Sequence, residues 1–243
     1  MRSETQFMAG RRGVVSGAAA LALAPGAALA QAGAPLKIGI IGSGRLGSAV
    51  GSLWAKAGHP VLFSSRHPET LKELVDGLGP LARAGTPMEA AGFGDAVFVA
   101  VPYGALPQVG QDYARAMAGK VVLDACNAVV SRDGPTATAA LEKGIGIASA
   151  EYLPGTRLVR AFNTLSFRIL ASEAHRAGEK LAIPIASDDA DALLVASGLV
   201  RDAGFDPVVV GPLRRASDFA MGARGYGQQV GARELRERLG LPQ

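Results

Sequence analysis

The stretch Lys37 to Ala57, KIGIIGSGRLGSAVGSLWAKA, constrains this chain more than any other. A short β-branched run leads into three glycines spaced Gly42-x-Gly44-x-x-Gly47, and Ala, Leu and Val then recur at helical spacing. Glycine triplets also occur in ordinary turns. Here the strand before and the helix after make the triplet the opening of a βαβ unit whose turn holds a pyrophosphate. Gly42 allows the sharp turn, Gly44 leaves room for phosphate to approach the backbone, and Gly47 lets the helix lie close on the strand. The unpaired N–H groups of the first helical turn then face the phosphate charge.

The rest of the chain repeats that alternation, which predicts an α/β fold: a Rossmann-type doubly wound parallel sheet with a small C-terminal α/β unit. Strands are expected near 37–41, 61–63, 96–101, 120–123 and 158–161, with helices near 46–57, 68–78, 106–117 and 137–143. The dinucleotide-binding domain spans 31–163. The smaller unit, 164–243, is expected to hold strands near 181–185 and 207–210, a helix near 190–203 capped by Ser187 with Asp188 and Asp189, and a short charged helix in ARELRERLG.

The first 30 residues read as a leader. Arg11-Arg12 precedes a mildly apolar Ala/Gly/Val/Leu run, and Ala28-Leu29-Ala30 forms an A-x-A cleavage site before Gln31. The arginine pair fits twin-arginine export, a receptor-read address rather than an anchor, so the mature protein is expected in the periplasm or outside the cell, with a cytoplasmic location as the alternative. That route moves folded proteins, so a cofactor bound in the cytoplasm could be carried out. The formal charge of +4 falls further once the leader is removed, and no basic face for nucleic acid is implied. A single cysteine, Cys126, cannot form an internal disulfide, and no Cys/His cluster has metal-ligand spacing.

The second strand decides which dinucleotide is bound. An Asp or Glu about 20 residues after the turn would bind a ribose 2′-hydroxyl and repel a 2′-phosphate. This chain has VLFSSRHPE there. Ser64, Ser65 and Arg66 supply hydroxyls and a guanidinium suited to a 2′-phosphate, with His67 as a further donor, and the cofactor is read as NADP(H).

The segments GSGRLGSAV, SSR, DAVFVAVPYGAL, GKVVLDACNAV and VRAFNTLSF together resemble the deazaflavin (coenzyme F-420) dependent NADP oxidoreductase family, from about Leu36 to Gly211. The resemblance implies hydride transfer between nicotinamide C4 and a deazaflavin, or a flavin as in related domains of membrane ferric reductases. It places the pyrophosphate at Gly42, Ser43, Gly44, Arg45, Leu46 and Gly47, and the 2′-phosphate at Ser65 and Arg66. Val101, Pro102 and Tyr103 fall beside the ribose and nicotinamide. Asn127 lies at the carboxyl edge where open α/β sheets bind ligands, and Asn163 with Thr164 lines the nicotinamide pocket or caps the next helix. Because the two rings carry the chemistry, no catalytic acid or base is required. Reduction of a small imine or carbonyl substrate would need a proton donor, for which Tyr103 is the candidate. A non-catalytic NADP-binding module is the third reading. The partner is a small-molecule electron acceptor, and a homodimer is compatible with the chain.

Overall fold

The computed structural model describes residues 35–242, so the expected leader lies outside the described residues. Strand β1 (Ile38–Ile41) sits in the middle of a sheet ordered β3-β2-β1-β4-β5-β6-β7-β8, with β2 Val61–Ser64, β3 Ala82–Gly85, β4 Ala96–Val99, β5 Val121–Asp124, β6 Arg157–Arg160, β7 Ala182–Ala186 and β8 Asp206–Gly211. All neighbours run parallel except β6 and β7, which pair antiparallel at Arg160 and Ala186. The strand order reverses between β1 and β4, and in an open parallel sheet a ligand cleft forms beyond the carboxyl ends at such a point. The described residues group as one compact unit, and the segment after Asn163 adds β7 and β8 to the same sheet.

Strands buried on both faces need helices on both faces. One layer contains α1 (Arg45–Lys56), α2 (Lys72–Leu78), α7 (Phe167–Glu173) and α8 (Ala190–Asp202), over a core of Ile38, Ile40, Phe63, Phe98, Phe162 and Phe205. Trp54 of α1 anchors this face, making edge-to-face contacts with Phe98 and Phe162 at centroid distances of 5.2 and 5.6 Å and donating to the Leu199 carbonyl at 2.7 Å. The opposite layer contains α3 (Pro87–Phe93), α4 (Leu106–Met117), α5 (Val130–Lys143), α6 (Ile145–Tyr152) and α9 (Ala232–Arg238), over Val97, Val99, Tyr103, Leu106, Met117 and Phe219.

Strand β3 and helices α3 and α6 have no counterpart among the sequence expectations. Strand β3, ARAG, is an edge strand with exposed central residues and carries no hydrophobic run. Helix α3 starts at a capping box, Thr86 with Glu89, behind which only Ala90 and Ala91 are buried. Helix α8 is capped by Asp189, which accepts from the Ala192 N–H at 2.9 Å, whereas the Ser187 hydroxyl donates to the Leu158 carbonyl at 2.6 Å and ties β7 to β6.

Candidate functional site

The turn after β1 separates what the protein requires of its glycines from what a ligand requires. Gly42 has φ +96°, and a Cβ there would lie 2.6 Å from the Ala100 carbonyl oxygen; a Cβ at Gly47 would lie 2.1 Å from that of Gly42. Both must be glycine for the chain to fold this way. Gly44 has ordinary extended backbone, and a Cβ built on it meets nothing within 4 Å. The space it leaves clear is outside the protein. Beside it, the Ser43 hydroxyl oxygen is buried without a hydrogen-bond partner, while the Ser43 N–H is fixed on the Ser64 carbonyl at 2.9 Å. No side chain caps α1 and no acid occupies its first turn, so its free N–H groups and positive end are open to an anion. An orphan hydroxyl, an uncapped helix and a clear approach fit the pyrophosphate of a dinucleotide.

At the end of β2 the three polar residues divide. Ser64 is buried and its hydroxyl donates to the Ile40 carbonyl at 2.5 Å, so it pins β2 to β1. Ser65 is half-buried, its oxygen accepting from the His67 N–H at 3.1 Å. Arg66 is exposed and, among the described residues, has no carboxylate partner. His67 lies 3.4 Å from Glu69 on the surface. Ser65 and Arg66 are therefore the groups available at the edge where a ribose substituent would lie.

Beyond β4, Val101 and Pro102 stay accessible, but the Tyr103 side chain turns away. It is wholly buried in the core under α4 and α6, its hydroxyl engaged with Ser149 at 3.1 Å and the Ile145 carbonyl at 3.3 Å, and burial pushes its pKa well above the usual range. The structure does not bring this hydroxyl to the cleft.

The loops after β5 and β6 meet through two amides. Asn127 Nδ2 donates to the Asn163 carbonyl at 2.7 Å, and Asn163 Nδ2 reaches Asn127 Oδ1 at 3.3 Å and the Phe219 carbonyl at 3.1 Å. Asn163 Oδ1 is buried and unpartnered, a second orphan acceptor on the carboxyl edge. Thr164 is also buried, and its carbonyl accepts from the Gly227 N–H at 3.0 Å. Helix α7 is capped instead by Ser166, whose oxygen accepts from the Ile169 N–H at 3.4 Å. Phe162 holds φ +59°, a strained conformation for a bulky side chain, while its ring is fully buried among Trp54, Phe98 and Phe205. Aromatic packing thus fixes the backbone bend that presents Asn163.

Sequence reasoning missed the pair that holds this corner. Asp124 ends β5 and Arg160 ends β6; both are fully buried, with Arg160 Nη1 2.5 Å from Asp124 Oδ2. Arg160 Nη2 also donates to the Cys126 carbonyl at 2.8 Å, and the Cys126 N–H donates to Asp124 Oδ1 at 2.8 Å. Their signal was a charged residue closing each of two adjacent apolar strands, in register with one another. Cys126 itself is buried, and desolvation raises its thiol pKa, so it is inert.

Residues 37–128, which contain the turn, the β2 edge and Asn127, match the family described as NADP oxidoreductase coenzyme F420-dependent. This segment belongs to that family. The chain is also similar to metalloreductase STEAP3 of Rattus norvegicus, 30% identical over 190 residues, which is 75% of this chain but 35% of that relative. Among solved structures it resembles a hypothetical protein, SMa0349, of Sinorhizobium meliloti, with 26% identity and TM-score 0.70, covering 81% of this chain and 95% of that one. A candidate F420-dependent NADP reductase from Arthrobacter sp. FB24 shares the fold at 22% identity and TM-score 0.64, covering 75% and 87% of the two chains. Among the described residues no helix is long and apolar enough to cross a membrane, and no His/Cys/Asp/Glu group could hold a metal.

Proposed function

We propose that the protein is an NADP(H)-dependent reductase that passes hydride to a deazaflavin or flavin acceptor. The observation that carries the reading is the turn: a buried Ser43 hydroxyl with no protein partner beside the unfilled space at Gly44. NADP(H), when bound, supplies a hydride at nicotinamide C4. Gly42 to Gly47 would hold the pyrophosphate, and Ser65 with Arg66 would hold the 2′-phosphate by charge-assisted hydrogen bonds. The orphan Asn163 Oδ1 is an acceptor suited to the N–H of a carboxamide, which would orient the ring. Position and exclusion of water are what these residues contribute, since ring-to-ring hydride transfer needs no protein acid. Burial of the Tyr103 hydroxyl weighs against the small-imine or carbonyl reading, which needed it as proton donor.

Purified protein mixed with NADPH and separate flavins or deazaflavin, followed at the nicotinamide absorbance band, tests the proposal. Acceptor-dependent loss of NADPH is expected. Tight binding of NADPH with no oxidation by any ring acceptor would instead leave a non-catalytic binding module.

A further inference from the structure

The mouth of the same cleft carries two guanidinium groups, that of Arg45 in the pyrophosphate turn and that of Arg168, which the cofactor site does not call upon. Arg45 is the first residue of α1 and Arg168 the second of α7, and each holds its Cζ 5.6 Å from the centroid of the Phe167 ring. Both are exposed, and among the described residues neither has a carboxylate or a side-chain hydrogen bond. Several arginines elsewhere are matched with acids, as in Arg132 with Asp133, Arg157 with Asp189 and Arg215 with Asp218; what sets Arg45 and Arg168 apart is that the two converge on one ring. A ring attracts each cation only weakly at an exposed site, and two cations on one ring repel each other. Such an arrangement is balanced when an anion lies between them.

Its place in the fold says which anion. Arg45 directly follows Gly44, and Arg168 lies five residues after Asn163, on the helix that leaves the loop with the orphan amide oxygen. The nucleotide's own phosphates already have the α1 turn with Ser43, and Ser65 with Arg66. Arg168 is left over, on the helix that follows β6 and the Asn163 loop, where the proposed reading would put the nicotinamide and its hydride acceptor. We infer that Arg168, with Arg45 and held on Phe167, binds the anionic side chain of the acceptor, which is therefore a redox ring carrying a phosphate or carboxylate tail and not a neutral ring. This rests on the proposed reductase function.

FMN and riboflavin share one ring system and differ by a single phosphate, so they isolate the effect. Their binding is measured by quenching of flavin fluorescence, with and without NADP⁺, so that no turnover enters the readout. FMN is expected to bind roughly tenfold more tightly than riboflavin at low salt, the scale of one charge-assisted contact. The gap should narrow as salt shortens the screening length. Arg168→Gln should bring FMN down to the riboflavin level, and Arg168→Lys should restore part of the difference, because it keeps the charge but not the fork. Equal binding of the two flavins by the parent protein, binding of neither, or a gap that survives Arg168→Gln would each overturn the inference. So would a loss of NADP⁺ affinity in Arg168→Gln as large as its loss for FMN, since the guanidinium would then belong to the nucleotide. Failure of the underlying reductase reading is seen separately, as a parent protein that does not bind NADP⁺ before any flavin is added.

Discussion

The two sides of the cleft are built by different means. On the β1 and β2 side, backbone does most of the holding: glycines set the turn, the first main-chain N–H groups of α1 are uncapped, and Ser43, Ser65 and Arg66 stand beside them. On the β5 and β6 side, side chains do it: Asp124 and Arg160 form a buried cluster with the Cys126 main chain, and next to it Asn127 pairs with Asn163, with the strained Phe162 wedged beneath. A backbone cradle costs little to form and tolerates variation around it. A buried polar network is stable only when every member is present, since each loss leaves another group unpaired.

The sharpest way to break this contrast is to remove one partner of the buried pair. Arg160→Met leaves the Asp124 carboxylate unpaired with both groups fully buried, and the expected loss of stability is about 3–5 kcal/mol, read as a lowered urea midpoint. Replacing both, Asp124→Leu with Arg160→Met, should recover most of that stability, because an apolar pair of similar volume is often as good. NADP⁺ affinity should nevertheless stay reduced in the double variant, because the Cys126 main chain has lost both contacts that fix the loop before Asn127. Recovery of stability and affinity together would mean that the pair serves the core alone.

The backbone side should fail differently, with binding lost before folding. Gly44→Val places its side chain into open space, so the unfolding midpoint should hold while NADPH affinity falls about a hundredfold, near 3 kcal/mol. Gly47→Ala forces its Cβ onto the Gly42 carbonyl and should lower both. Matching losses of stability in the two variants would erase the distinction between a ligand-required and a fold-required glycine.

Much of the backbone side was legible in the sequence, because a glycine spacing between a strand and a helix states its own geometry. The doubly wound sheet was legible too, since alternation of β-branched and Ala/Leu-rich runs reports burial on both faces. Where the Ser64 hydroxyl faces was not legible, because one position in a strand decides which way a side chain faces, and here it faces the Ile40 carbonyl. Tyr103 went the same way, into the core. The Asp124–Arg160 pair could not be seen because its members are 36 residues apart, and only the pairing of β5 with β6 makes them neighbours. Strand β3 was hidden by the exposure of its middle residues.

A smaller effect sharpens the nucleotide end. Arg66→Ala removes one charge-assisted contact to a 2′-phosphate, so NADPH should weaken by about 2 kcal/mol while NADH, which lacks that group, changes little. Titrating both nucleotides into parent and variant decides the matter, and equal losses would remove the 2′-phosphate from this edge.

The smallest effect tests whether the β5 side is also held from outside the core. Asp133 accepts from the Val129 N–H at 2.9 Å at the start of α5 and from Arg132 Nη2 at 2.8 Å, and Arg132 Nη2 in turn donates to the Asn127 carbonyl at 2.7 Å. The Arg132 hydrogen bond, helped by the backbone donors, holds the Asp133 carboxyl down to about 2. A carboxyl depressed in the folded state stabilises the protein above its unfolded pKa of about 3.9, and that contribution is lost as pH falls from about 4 towards 2. Because Arg132 is half exposed, screening reduces the contribution to about 1 kcal/mol. Asp133→Asn should therefore cost about 1 kcal/mol at neutral pH and progressively less below about pH 4, with the two unfolding curves converging near pH 2. A stability gap that stays constant across that range would mean that the charge on Asp133 is not what steadies the loop, and that the network on this side stops at the buried pair.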